Sequence, residues 1–205
     1  MNPNWAEENL QTIRTLMERS ALYRRALAPI TLLAGLLGVV AAAVGILFRI
    51  NTFNGFLVLW FATAALAVIG AFLIARQQAL TEKEPFWSPP TRRVTHALLP
   101  PLLSGMFWGI FAACLQVPFE MAFLVALIWI SLYGLALHAA GFFIARGVRW
   151  FGWCYVGLAA AIAVFLLVAE PNNLNAHWLM GFFFGVLHLA YGAYLYLTEK
   201  GKNAA

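Results

Sequence analysis

The sequence predicts an all-α fold, a polytopic membrane helical bundle of six transmembrane helices, and three observations predict it. First, six apolar runs are each about as long as the roughly 20 helical residues that cross a hydrocarbon core of about 30 Å. They are residues 27–48, 53–75, 96–117, 119–145, 150–169 and 177–197, and none holds an acidic or basic residue in its central part. Second, 63% of the 205 residues are hydrophobic and 10% charged, against about 45–50% and about 25% in soluble domains. A mean hydropathy of +0.80 leaves too little polar surface to cover a water-soluble fold. Third, the basic residues sit at the ends of the apolar runs, where membrane topology places them.

Taken in order, residues 1–25 form an amphipathic segment. Leu10, Ile13, Leu16, Met17 and Ser20 share one helical face, with Arg14, Glu18 and Arg25 elsewhere. Such a helix packs on the protein's own cytoplasmic face, lies on the membrane surface, or docks a protein partner. Residues 26–198 then hold the six spans as three hairpins, and 199–205 form a tail. The charged segment before the first span is too long for a cleaved signal peptide, so that span is read as retained. Pro100 and Pro101 are tolerated near a helix start, so the third helix is expected to begin there. The longest loop, with Phe86 and Trp87, is expected to dip into the interface while its basic residues meet anionic lipid.

Orientation follows from charge. Arg14, Arg19, Arg24, Arg25, Arg76, Lys83, Arg92, Arg93, Arg146, Arg149, Lys200 and Lys202 fall on one side, and Arg49 alone on the other. By the positive-inside rule both termini are cytoplasmic. The net charge of +5 is thus a topological signal, not the basic patch of a nucleic-acid binder. Cys114 and Cys154 lie within apolar runs and read as packing thiols.

A shift of 70 residues lays "LLAG" (Leu32 to Gly35) on "LLSG" (Leu102 to Gly105) and "AFLIAR" (Ala71 to Arg76) on "GFFIAR" (Gly141 to Arg146). This suggests an internal repeat of hairpins. Small residues recur at helical spacing: Ala34, Gly38 and Ala42; Gly105, Gly109 and Ala113; Gly157 and Ala161; Gly181 and Gly185. Such steps let helices approach closely, within the bundle or across a homodimer seam.

Ionisable groups inside a membrane are costly and therefore candidates for function. The chain has no Asp, and Glu120 and Glu170 fall at the outer interface. No P-loop, HExxH or GxSxG is present, so no catalytic residue and no metal site are predicted, and the expectation is a non-enzymatic protein. His96 and His177 read as interfacial. His138, about two turns inside the fourth span, and His188, near the middle of the sixth, are the remaining polar groups, with Tyr133 and Tyr191 close in sequence. Two imidazoles on different helices could ligate the iron of haem b, hold a polar cavity, or hydrogen-bond across a helix interface. Trp108 and Trp129 are deep enough to line a site for a hydrophobic ligand.

"IRTLMERSALYRRAL" (Ile13 to Leu27) and "MGFFFGVLHLAYGAYL" (Met180 to Leu195) resemble the start and finish of a family of uncharacterised bacterial membrane proteins of about 200 residues. The resemblance implies a multi-pass protein of the bacterial inner membrane and groups His188, Tyr191 and Gly192 as a motif. It implies no activity. Three functions stay open: binding, sensing or transporting a small hydrophobic molecule or lipid; a haem-bearing redox subunit; and an accessory or assembly subunit recruiting a partner through its N-terminal helix.

Overall fold

The computed structural model describes residues 26–83, 85–169 and 175–203. The amphipathic segment 1–25 lies outside them, as does Glu170. Six helices long and apolar enough to cross a membrane account for nearly all of the described chain, and among the described residues there is no strand. They are α1 (Ala26–Leu47), α2 (Phe53–Thr81), α3 (Pro89–Cys114), α4 (Ala122–Ala140), α5 (Arg146–Ala169) and α6 (176–203). A single 3₁₀ turn, Phe119–Met121, leads into α4. Because the helices alternate in direction, the described residues Arg76, Lys83, Arg92, Arg93, Arg146 and Arg149 gather at one end of the bundle, here called the basic end.

The ends of the helices have local causes. Thr52 caps α2 by accepting from the Gly55 N–H at 3.2 Å, and Asn175 caps α6 by accepting from the His177 N–H at 2.8 Å. α1 and α3 each close with a residue in the left-handed region, Arg49 at φ 49 and Gln116 at φ 54. The next N–H reaches back five residues, from Ile50 to the Gly45 carbonyl and from Val117 to Ala112.

Two helix ends depart from the sequence expectation. α3 starts at Pro89 and runs through Pro100 and Pro101. Pro89 supplies a pre-set φ at the first helical position. The two inner prolines merely leave the His96 and Ala97 carbonyls without their usual donors. At the other site α4 stops at Ala140, and Gly141 to Ala145 make the turn into α5. Those residues are as apolar as the helix before them, so hydropathy runs straight through the break.

α4 and α6 form the centre. In each, 44% of the span is buried, against 28% in α1 and α5 and 11% in α2 and α3. α1 lies against α6 through small residues. A Cβ on Gly38 would overlap the Phe184 carbonyl, and one on Gly45 would overlap the His177 ring. Gly181 and Gly185 meet Ala42 and Val39 in return. Gly105 and Gly109 instead receive the Trp129 ring from α4. The small-residue steps of α1, α3 and α6 are thus filled within the chain. Gly157, with Ala161 a turn further on, stays exposed on α5, and a Cβ there would meet nothing within 4 Å.

Candidate functional site

The polar interior is built by three helices around a wide turn. Between Met180 and His188, α6 winds as a π-helix, Gly181–Leu187, a geometry often found at functional positions. Within it the Phe183 carbonyl accepts from the Tyr155 hydroxyl of α5. His188, the next polar residue of α6, is almost fully buried. Its Nδ1 lies 2.8 Å from the Tyr155 hydroxyl and 3.1 Å from the Phe183 carbonyl. Its Nε2 lies 2.8 Å from the Tyr133 hydroxyl of α4.

The partners assign the protons. A carbonyl only accepts, so the nitrogen facing Phe183 carries the hydrogen, and Nε2 is left to accept from the Tyr133 O–H. Every donor and acceptor of the neutral imidazole then has a partner. Rings of Phe151 at 5.7 Å and Phe184 at 6.0 Å enclose it. His188 and Tyr133, singled out separately in the sequence, are brought together here. Tyr155, the third member, was missed, although a lone Tyr in the apolar run "WCYVG" is a polar mark on α5.

A second closed site stands at the opposite end of the bundle. His177, expected at the interface, is fully buried. The indole N–H of Trp60 donates to its Nδ1 at 3.2 Å, so Nε2 carries the proton and donates to the Ile50 carbonyl at 3.0 Å. Phe56 and Phe119 pack on the ring at 5.3 and 6.3 Å. The two histidines of α6 therefore adopt opposite tautomers, each fixed by its neighbours. The interfacial reading of His177 fails because the start of α6 is roofed by Phe119 and by the α1–α2 turn.

The remaining candidates are separate. His138 is in the last turn of α4, at the basic end, and not two turns inside a span. Its ring packs edge-on against Trp153 at 5.1 Å and Phe142 at 5.3 Å, and its buried Nδ1 has no hydrogen-bond partner among the described residues. It shares no ring contact or hydrogen bond with His188 among the described residues. Tyr191 stacks on Phe151 at 4.3 Å, with its hydroxyl against Gly147 and unpartnered. Trp129 is buried, stacks on Phe56 and Phe61, and donates to the Gly105 carbonyl at 2.8 Å. Trp108 is 48% exposed beside Phe107 and Phe111, so it faces outward and not into the bundle.

Haem ligation through His138 and His188 needs a free nitrogen on each ring. In this arrangement both nitrogens of His188 are engaged and the enclosing rings leave no coordination position open. No group of three or more His, Cys, Asp or Glu gathers among the described residues. Cys114 and Cys154 are free thiols, both exposed on the outside of the bundle. No protein-family model matches the chain, and no similar curated protein or solved structure is found.

Proposed function

We propose that the chain is a non-enzymatic protein of the bacterial inner membrane, with its basic end in the cytoplasm, that binds a small hydrophobic molecule or lipid from the bilayer. The observation that carries the reading is the contrast between a closed centre and thinly packed flanks. Tyr133 of α4, Tyr155 of α5, and His188 with the Phe183 carbonyl of α6 are paired with one another, which favours a scaffold role for them over an aqueous substrate pocket. α2 and α3 bury only 11% of their spans and touch each other sparingly. They expose Leu66, Ile69, Phe72 and Leu73 on one and Phe107, Trp108 and Phe111 on the other. An apolar guest is taken from the side, between these helices, with Trp108 and its neighbours as the contact surface.

Native mass spectrometry of the detergent-purified protein tests this. One apolar species is expected at a fixed stoichiometry, and Trp108→Ala with Phe72→Ala is expected to release it while the protein stays folded. Only bulk lipid, in the proportions of the source membrane, would overturn the reading. A second chain co-purifying, and lost when residues 1–25 are deleted, would turn the assignment to an accessory subunit. A visible spectrum of the same sample addresses haem: a colourless protein from haem-replete cells is expected.

A further inference from the structure

We propose that the corner between α4 and α5 binds the phosphate of an anionic phospholipid headgroup, with Arg149 and Arg146 as its cationic partners. Arg149 is half-buried, and its guanidinium lies 4.7 Å over the Phe142 ring. The backbone of Arg149 also closes on Gly141, where a Cβ would come within 2.6 Å of the Arg149 nitrogen. Turn and helix start are thereby clamped, and the guanidinium has a defined place instead of a solvated sweep. One face is covered by the ring, so the in-plane N–H groups remain to donate, the geometry that suits a phosphate. Arg146, a turn earlier on the same helix, is exposed.

Neither arginine has a carboxylate partner among the described residues. The one described carboxylate side chain at this end, Glu82, accepts from Gln78 at 2.7 Å. The buried Nδ1 of His138 has no hydrogen-bond partner among the described residues, and its imidazole packs in a T-shaped contact with the same Phe142 ring. A cation without a carboxylate partner and an imidazole nitrogen without a hydrogen-bond partner, among the described residues, therefore contact one aromatic ring.

The surroundings identify the guest as lipid. Phe142, Phe143, Trp150 and Trp153 are all exposed around the corner, and such rings settle at the headgroup level. They meet glycerol and upper acyl carbons, which free phosphate lacks. Two arginines without a carboxylate partner among the described residues favour an anionic headgroup over a zwitterionic one whose ammonium would be repelled. This site needs only the spans and the basic end, and it stands apart from the apolar guest of α2 and α3.

The test is competition between phosphatidylglycerol and phosphatidylcholine of equal chain length for the full-length protein, read by native mass spectrometry. Wild type is expected to retain phosphatidylglycerol preferentially. Arg149→Gln and Arg146→Gln are each expected to lower that preference about fivefold, while Arg49→Gln, an exposed change at the opposite end of the bundle, leaves it unchanged. Arg146→Gln alters an exposed side chain, so its result stands even if Arg149→Gln fails to fold. An unchanged preference in Arg146→Gln, an equal loss in Arg49→Gln, or displacement of the lipid by inorganic phosphate at millimolar concentration would overturn the proposal.

Discussion

At the scale of single residues, the two buried histidines show how a charge-poor interior keeps its polar groups. Each is neutral, each has both ring nitrogens engaged, and each is locked in one tautomer by its hydrogen-bond partners. The Tyr155 hydroxyl donates to the Phe183 carbonyl and accepts from His188 Nδ1–H, whereas the Tyr133 hydroxyl makes one such bond, to Nε2, so their losses differ. Tyr155→Phe is expected to cost about 1–2 kcal/mol and Tyr133→Phe about half that, from the usual worth of interhelical hydrogen bonds in membranes. Thermal unfolding in detergent ranks them, and equal shifts would contradict the shared role of the Tyr155 hydroxyl. His177→Phe keeps a ring but strands the Trp60 N–H and the Ile50 carbonyl, and is expected to lower Tm more than either. His188 was legible in the sequence because an imidazole in mid-span must find either a polar partner or a function. His177 was not, because a histidine at a span end reads the same whether it faces water or a buried carbonyl.

At the scale of elements, glycines separate the seams that are used from the one that is open. Gly38→Ala presses a methyl group on the Phe184 carbonyl and is expected to destabilise by about 1–3 kcal/mol, the usual toll of overpacking. Gly157→Ala meets open space and is expected to be neutral or to stabilise by up to about 1 kcal/mol through helix propensity. Comparing their unfolding midpoints checks the α1–α6 contact directly, since both changes add the same methyl group. Gln116, held at φ 54 where glycine is preferred, predicts that Gln116→Gly stabilises by about 1 kcal/mol. The existence of six helices was readable, but their ends and faces were less so. Gly141 to Ala145 are apolar and yet leave the helix, and α3 begins at Pro89, ahead of Arg92 and Arg93, which hydropathy excludes from a span. Pairing of faces was unreadable for a deeper reason. Lipid-facing and buried positions are both apolar here, as Trp108 and Trp129 show, so periodicity carries no inside–outside signal.

At the scale of the whole molecule, charge and packing divide the bundle along different axes. The basic residues mark one end, whereas burial marks α4 and α6 as the centre with α2 and α3 at the margin. The positive-inside rule predicts how the ends lie in a cell. With both native cysteines replaced, Gln116→Cys is expected to react with an impermeant maleimide added outside, and Phe143→Cys only after the membrane is opened. The reverse pattern would invert the orientation. The margin has its own consequence, because α2 and α3 hold fewer buried neighbours and are the helices with least to lose by moving apart.

The hydrogen bond from His177 to the Ile50 carbonyl joins residues 127 apart, and it gives the bundle an order of assembly. At about 5–20 residues per second of synthesis, roughly 6–25 s separate the emergence of these two partners from the ribosome. Until the last helix arrives, α1 presents bare glycines and an unpaired turn to lipid, an unfinished surface of the sort that quality-control proteases recognise. A chain ended after residue 169 should therefore insert five helices and still be cleared quickly, its half-life restored by supplying the 175–203 segment as a separate peptide.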